Sequence, residues 1–514
     1  MKRKRESSTK QRKTKRKVDV KYDDNMPDDD DEEDEEEFED NFDDEFNEEY
    51  EDEDIDESMD GDTIQKPLSD HTHWTRQPIT IDPTKDTILF LEMEADSHTA
   101  YAKRFNEFKH NRFGKVPIMR YYGCTKDGNS VCARVWGYRP YFYCEIPTGF
   151  KISVANINAY KNIINELVDK SENYIEEMVV VQKKTMWQHQ SGGLVNYFKI
   201  YTTHPHQIFK IKKLFGAGLN IPGIGYRVIM TYENNVLFPL RNMVDYDIFA
   251  CGWMKIDPGK YSLTTDNKQT SCDIEIDVHC DDVTSFDPNI DKYSGIAPVR
   301  VLSFDIECLG YRETKEEAKR RKGPKRLTGK IHFPQADHPD CAVSQIANVV
   351  TRQGEAEPFI TNVFCLRDTS NIAGAEVYCF DNECDLLMAW SEFIRSTDPD
   401  IITGYNIVNF DFPYLFNRAK YLSKKYPKLK KFPFMTRTKA PTLYKEKTFS
   451  SNQMGTRKTF DIKCYGRIIL DVYAYMLISF KLSAYSLNNV SAIYLGEQKD
   501  DVHYTIMNKL FEKD

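Results

Sequence analysis

The sequence lacks several patterns that mark common protein classes. None of its 12 cysteines belongs to a C-x-x-C pair, so this chain carries no zinc or iron–sulfur cysteine motif of the usual kind. No stretch approaches the ~18 apolar residues of a membrane helix, and the N-terminus has no apolar secretory leader. We therefore expect a non-secreted protein with reduced thiols and no membrane contact.

Positive charge is absent from one long segment. Residues 23–62 contain 27 acidic residues and no base, whereas residues 2–17 contain ten basic residues and one acid. The first 62 residues thus carry a net charge of −18 and the remaining residues +7, although the whole chain carries −11. Because such a run repels itself and offers little to bury, we predict a disordered tail over residues 1–65. Its two basic clusters fit a bipartite nuclear import signal, and its acidic block is either solvated or binds a basic partner.

The rest of the chain has the composition of folded protein. With 514 residues, of which 40% are hydrophobic and 13% aromatic, it is long enough for two or three domains. Short aromatic and β-branched runs bounded by turn residues predict a β-rich mixed domain over residues 79–297. The most aromatic of these runs, Trp136–Tyr143, either stacks nucleobases or packs into the core, and its composition favours the core.

A second domain is predicted over residues 298–514. The apolar run Val299–Cys308 is typical of a buried central strand. Two further strand-like runs follow, then a helix over Asn382–Arg395, a short strand over Asp400–Thr403 and a helix that begins at Asp411. This order of elements predicts an α/β domain of the ribonuclease-H-like type.

Acidic side chains interrupt the predicted central strand. Asp305 and Glu307 lie two residues apart, so both leave the same face of the strand with Cα atoms about 6.5–7 Å apart. Such a pair can share two divalent metal ions ~4 Å apart, the geometry used for in-line displacement at phosphorus. A D-x-E pair is common by chance, but unpaired anions in a buried strand are costly and need a compensating cation. Asp411, about a hundred residues further on, supplies a third acid.

Two motifs in this domain resemble those of a known family. FDIE at residues 304–307 and GYNIVNFD at residues 404–411 resemble the first and second exonuclease motifs of the B-family replicative DNA polymerases. Other stretches, among them GYRPYFY and SLNNVSAIYLGEQKDDV, are most similar to the delta-type catalytic subunits of eukaryotes, over residues 89–514. The resemblance implies a 3′→5′ proofreading exonuclease domain. It also implies that residues 79–297 are the polymerase N-terminal domain, partly OB-like, which lies against the template strand.

The resemblance assigns roles to five residues. Asp305, Glu307 and Asp411 would be the catalytic acids and would ligate two divalent metal ions, Mg²⁺ or Mn²⁺, which oxygen ligands alone do not distinguish. Asn406 would contact the backbone of the frayed primer 3′ end, and Phe410 would pack near the terminal nucleotides. The stretch from residue 444 to residue 461 would correspond to the β-hairpin that helps the primer move between sites.

One motif of the family is absent from the sequence. The third exonuclease motif, Y-x-x-x-D, supplies a fourth acid, yet neither it nor H-x-x-x-x-D occurs after Asp411. Polymerase motifs of the DTD and SLYPS types are absent as well. We therefore expect an exonuclease domain that is truncated before its third motif. By itself the chain should have little or no exonuclease activity, since loss of one catalytic acid commonly costs orders of magnitude in rate.

Three functional classes remain open on this basis. The favoured one is the front of a nuclear DNA-directed DNA polymerase for replication and repair, which in full length would bind accessory subunits and a sliding clamp. A stand-alone nuclease is the second, and a non-catalytic DNA-binding fragment or regulatory isoform is the third. Two basic segments also stay open: Tyr311–Lys330 has nine Lys/Arg and Lys420–Lys431 has six lysines, and each either contacts phosphates or is a solvated surface.

Overall fold

The computed structural model describes residues 73–101, 115–168, 174–184, 193–312, 331–451, 455–499, 502 and 504–512. The predicted tail, with its two import-like clusters, and the greater part of the basic segment after Tyr311 lie outside the described residues. None of the described helices is long and apolar enough to cross a membrane.

The first half of the described chain is rich in strands. Its strands are β1 (Ile88–Tyr101), β2 (Lys115–Thr125), β3 (Ser130–Trp136), β4 (Tyr141–Glu145), β5 (Ile175–Lys183), β6 (Val195–Thr202), β7 (Leu219–Ile221), β8 (Gly225–Arg227), β9 (Thr231–Tyr232), β10 (Trp253–Ile256), β11 (Tyr261–Leu263), β12 (Ile274–His279) and β13 (Val283–Phe286). Its α-helices are α1 (Val154–Val168), α2 (Gln207–Ala217) and α3 (Phe238–Asp245). Short 3₁₀ helices follow at Cys280–Asp282 and Asp291–Tyr293.

Two sheets organise this half. The larger has seven strands in the order β11-β12-β3-β2-β1-β10-β13, and the smaller has four in the order β5-β6-β4-β9. Helices α1 and α2 pack on the smaller sheet through apolar side chains such as Ile164 and Phe215. The aromatic residues of Trp136–Tyr143 are buried, so the prediction that this run packs into the core is confirmed.

The second half contains the predicted α/β domain. Its strands are β14 (Arg300–Cys308), β15 (Tyr311–Arg312), β16 (Ile331–His332), β17 (Val343–Arg352), β18 (Ile360–Leu366), β19 (Glu376–Phe380), β20 (Ile401–Gly404), β21 (Leu443–Ser451), β22 (Gly455–Lys463) and β23 (Ile468–Asp471). Its α-helices are α4 (Glu383–Thr397), α5 (Asp411–Ser423), α6 (Val472–Ser479), α7 (Leu487–Tyr494) and α8 (Tyr504–Phe511). A 3₁₀ helix covers Pro427–Lys431.

The central sheet of this half has six strands in the order β19-β18-β17-β14-β20-β23. Strand β14 pairs antiparallel with β17 and parallel with β20, and β23 extends the parallel edge. Apart from the added edge strand β19, this is the 3-2-1-4-5 order of the ribonuclease-H-like fold, as predicted. Helix α4 covers one face, beginning at its predicted cap Asn382, whose side chain accepts a hydrogen bond from the Asp385 amide.

The burial of β14 differs from the prediction. Leu302, Phe304 and Ile306 are buried against the core, but Ser303 and Asp305 on the opposite face are exposed. The expectation of a strand buried on both faces is therefore wrong. The reason is that the described elements cover only one face of the sheet at this point. The acidic pair is open to solvent and to ligands.

Candidate active site

The acidic pair of β14 is bridged by a lysine from the far end of the chain. Lys499 Nζ lies 2.7 Å from Asp305 Oδ2 and 3.2 Å from Glu307 Oε1. The side chains of Asp305 and Glu307 are 53% and 35% exposed, so a ligand can reach both of them. Partial burial lowers the pKa of Lys499, but the two carboxylates outweigh this and raise it above its ordinary value. The lysine therefore stays charged and neutralises part of the acidic pair.

Asp411 approaches the same strand from helix α5. It is the first residue of that helix and is only 2% exposed. Its Oδ1 accepts a hydrogen bond of 3.2 Å from the amide of Ile306, the residue between the two acids of β14. Burial and the charge of Asp305 raise the pKa of Asp411 to about 8, against the effect of the Ile306 amide. The structure thus brings Asp411 close to Asp305 on β14, with Glu307 two residues further along the same strand.

The donor set suits a hard cation. Its acidic side chains offer only oxygen ligands, which Mg²⁺ and Mn²⁺ prefer and which zinc sites usually supplement with nitrogen or sulfur. The Lys499 ammonium is a stand-in cation on this set, which shows that two of the carboxylates already accept one positive charge between them.

The carboxylate oxygens of the three acids do not all lie close enough together here to hold one metal ion. Among the described residues, only His279, Cys280 and Asp281 bring three ligand atoms within 4.8 Å of one another. In that other group the atoms form local hydrogen bonds, since the Asp281 amide donates to His279 Nδ1 and Tyr246 also bonds the aspartate. To share a metal ion with Asp411, Asp305 and Glu307 would therefore have to turn away from Lys499.

The loop that carries the second motif is fixed by an aspartate. The Asp471 carboxylate accepts hydrogen bonds from the amides of Asn406 at 2.8 Å and Val408 at 3.0 Å, and it also caps helix α6. These bonds hold Asn406 in the left-handed backbone region at φ 65°. At Gly404 a Cβ atom would lie 2.7 Å from the Phe304 carbonyl oxygen, so only glycine allows the loop to leave β20 so close to β14.

Aromatic side chains lie beside the acids. Phe410 is half-buried, and its ring centroid is 5.8 Å from that of Phe333, which is 58% exposed. Asn406 is half-buried too, and its Oδ1 accepts a hydrogen bond from Asn409 Nδ2 at 3.3 Å. Phe410 directly precedes Asp411, and its amide donates a hydrogen bond of 3.0 Å to the Asn406 carbonyl. Phe410 and Phe333 together offer an apolar surface on which a nucleobase can stack.

The predicted β-hairpin is present beside this loop. Strands β21 and β22 pair antiparallel from Leu443 to Lys463, which includes the predicted stretch. Thr459 Oγ1 donates a hydrogen bond of 2.9 Å to Asn409 Oδ1 and so links the hairpin to the second motif.

Sequence reasoning missed Lys499, Asp471 and Phe333. Lys499 is 194 residues from Asp305, and the sequence around it does not predict the contact. Asp471 had a signal, because an aspartate directly before an apolar helical run is a typical N-cap. Phe333 follows the basic segment Tyr311–Lys330 in the sequence, and only the fold brings it to Phe410.

The segment that carries the candidate site matches a known protein family. The family described as "DNA polymerase family B, exonuclease domain" matches residues 229–490. The DNA polymerase delta catalytic subunit of Glycine max is 37% identical over 445 residues, which cover 85% of this chain and 38% of that protein. The delta catalytic subunit of Drosophila melanogaster is 35% identical over 452 residues, which cover 85% of this chain and 39% of that protein. The chain therefore spans about two fifths of the length of these relatives.

A solved structure shows the same fold. The family B DNA polymerase from the hyperthermophilic archaeon Pyrobaculum calidifontis aligns with a TM-score of 0.51 at 17% sequence identity. The alignment covers 83% of this chain and 42% of that structure. At this identity the likeness bears on the fold alone.

Proposed function

Since this chain belongs to DNA polymerase family B, we propose that it is the front part of a replicative, delta-type DNA-directed DNA polymerase and carries a 3′→5′ proofreading exonuclease site. The observation that carries the proposal is the meeting of Asp305, Glu307 and Asp411 at the end of β14, inside the segment that matches the family's exonuclease domain. The chemistry of polymerisation would belong to the part of the relatives that this chain does not span.

Each residue of the site has a task in this proposal. Two divalent cations, when bound, would activate the attacking water and stabilise the leaving 3′ oxygen. Asp305 and Glu307 present their carboxylates on the open face, and the Ile306 amide orients Asp411 beside the same strand. Asn406 contacts the strand near its 3′ end, and Phe410 with Phe333 packs against the terminal bases.

The proposal extends to domains and partners. Residues 79–297 would be the polymerase N-terminal domain, which lies against the template strand, and residues 298–514 the exonuclease domain. DNA would be the substrate, with the primer 3′ end at the acids. The full-length protein would bind accessory subunits and a sliding clamp and act in the nucleus, to which the basic clusters of the tail would direct it.

A fluorescent base at the primer end tests the proposal. We expect 2-aminopurine at the 3′ terminus of a single strand to change its fluorescence on binding in Mn²⁺ or Ca²⁺, because the terminal base leaves its stack for the aromatic surface. The same base placed internally should respond less. Asp305→Ala should abolish the terminal response, while Ser303→Ala, on the same open face of β14, should retain it. An equal response from both variants would contradict the proposal.

Turnover by this chain should be slow. Without a fourth acid, the release of 3′ nucleotides in Mg²⁺ is expected to be weak or absent. Rapid release that Asp305→Ala abolishes would show that the third motif is dispensable. A chain that binds DNA with no dependence on metal or on the 3′ end would instead favour the alternative function, a non-catalytic DNA-binding fragment or regulatory isoform.

A further inference from the structure

The C-terminal end of helix α5 carries lysines that the proposed site does not use. The stretch Lys420–Lys431 contains six lysines and no acid. Lys428 pairs with Asp385. Four other lysines of the stretch are exposed, and within the part of the chain that the structure describes no carboxylate lies within ion-pair distance of them. We call these four the lysine surface: Lys420, Lys424, Lys425 and Lys430.

The lysines of this surface repel one another in the absence of a bound partner. Lys420 and Lys424 stand four residues apart at the end of α5, a spacing at which like charges destabilise a helix. The C-terminal end of a helix favours cations, but this effect falls off within the last turn. So many unneutralised charges in one place favour a polyanionic partner.

Aromatic side chains are interleaved with these lysines. Lys424 Nζ lies 5.8 Å from the ring centroid of Tyr421, and Lys425 Nζ lies 5.0 Å from that of Tyr426. Both tyrosines are half-buried, so part of each ring is open to a ligand. Alternating basic and aromatic groups are the combination with which proteins hold single-stranded nucleic acid, through phosphates and base stacking together.

The lysine surface and the acidic site occupy opposite ends of one helix. Helix α5 begins at Asp411, so at a rise of 1.5 Å per residue Lys424 lies about 20 Å from that acid along the axis. A strand that advances ~3.4 Å per nucleotide covers this distance in about six steps. The acids themselves repel phosphates, so the attraction that brings a strand to them has to come from basic residues nearby.

We propose that the lysine surface binds the phosphate backbone of the DNA strand whose 3′ end occupies the acidic site, about four to six nucleotides from that end. This inference rests on the proposed function, because the strand is the one that the exonuclease site would take. It assigns to the second basic segment of the sequence the task of a phosphate contact rather than that of a solvated face.

A charge-removal variant tests the inference. The triple substitution Lys424→Ala, Lys425→Ala and Lys430→Ala should weaken the binding of a single strand of about 15 nucleotides at least tenfold in moderate salt. The slope of log K against log salt should become shallower by about 2, because each phosphate contact on a single strand contributes about 0.7. An oligonucleotide of about three nucleotides, followed through a terminal 2-aminopurine, should bind both proteins equally because it cannot reach the lysines.

Two controls distinguish the effect of positive charge on the lysine surface from the effect of the total charge of the protein. The triple substitution to arginine at the same three positions should retain wild-type binding of the longer strand. Alanine at Lys126, Lys151 and Lys213 removes the same charge from three exposed positions that are well separated in the sequence and should change the affinity less than twofold.

The outcomes distinguish this inference from the proposed function. Unchanged binding of the longer strand by the alanine triple variant would overturn the inference, and so would an equal loss with the short oligonucleotide. The proposed function would survive either result if the metal-dependent signal from the 3′ end remains and Asp305→Ala abolishes it. Wild-type protein that binds neither strand would overturn both.

Discussion

At the scale of single residues, Lys499 neutralises part of the negative charge of the acidic site and occupies the oxygens that a metal ion would bind. Its ammonium lies between Asp305 and Glu307, where it offsets the repulsion of two neighbouring carboxylates. A metal ion that binds the same oxygens must displace it, so the lysine and the metal compete. This competition makes the metal affinity of the site depend on a residue that need not itself be a metal ligand.

Removal of the lysine charge should strengthen metal binding. We expect Lys499→Met to lower the Kd for Mn²⁺ about three- to tenfold, since displacing two partly exposed ion pairs costs ~0.7–1.4 kcal/mol. Titration followed by electron paramagnetic resonance of free Mn²⁺ measures this. Lys439→Met, at another exposed lysine, is the control and should leave the Kd unchanged. Weaker Mn²⁺ binding by Lys499→Met would show that the lysine supports the metal instead of competing with it.

The sequence could predict the acids but not their setting. Asp305 and Glu307 were predictable because alternation along a strand puts both on one face. Their exposure was not predictable, because the apolar residues of β14 would read the same whether other elements covered one face of the strand or both. The predicted convergence with Asp411 needed the family motifs, whereas Lys499 needed the folded chain.

At the scale of secondary-structure elements, Asp471 joins two of them. Its carboxylate accepts the amides of Asn406 and Val408 in the second-motif loop and also caps helix α6 through the Tyr473 amide. The order of strands and helices along the α/β domain was predictable from the hydrophobic runs, and the cap at Asn382 was predictable from its place before an apolar helical pattern. Edge strand β19 was not predicted, because five residues with mixed exposure give little periodicity.

Loss of the Asp471 carboxylate should lower the free energy of unfolding more than loss of a side chain that only caps a helix. Asp471→Ala leaves three amides without their acceptor, and we expect it to lower the free energy of unfolding by about 3 kcal/mol. Ser486→Ala is the matched control, because Ser486 caps only helix α7, and should cost about 1 kcal/mol. Urea unfolding measures both. Equal losses would mean that the loop is not held by Asp471. The variant should also weaken the 2-aminopurine signal of the 3′ end, and the control should not.

At the scale of the whole molecule, a buried cluster of charged residues joins the stretch just before β1 to the α/β domain. Asp398 and Asp400 are bonded by Arg76, which precedes β1, and by Arg437, which follows α5. Arg467 also bonds Asp398. Burial acts to raise the pKa of Asp398, but the arginines outweigh it and hold this pKa far below its ordinary value. Removing one partner would leave uncompensated charge in the interior.

Neutralising Asp398 should destabilise the protein in a pH-dependent way. We expect Asp398→Asn to lower the free energy of unfolding by about 3–5 kcal/mol at neutral pH. Asp257→Asn, in a pair that is largely exposed, should change it by less than ~0.5 kcal/mol. Because the folded-state pKa is depressed, the contribution of Asp398 is present above the unfolded pKa of about 4 and is lost as the pH falls below it. The gap between wild type and variant should therefore shrink between about pH 5 and pH 3, and a constant gap would contradict this.

The central claim is that Asp305, Glu307 and Asp411 form one metal-dependent site for a DNA 3′ end. Anomalous diffraction from crystals of the chain soaked in Mn²⁺ with a short single strand tests it most directly. We expect Mn²⁺ bonded to carboxylate oxygens of these three residues, beside the 3′ terminal nucleotide, with Lys499 displaced from Asp305 and Glu307. The same soak of Asp305→Ala should show no such peak. Wild-type crystals in which the strand binds elsewhere and no Mn²⁺ contacts these carboxylates would show that the three acids do not form such a site.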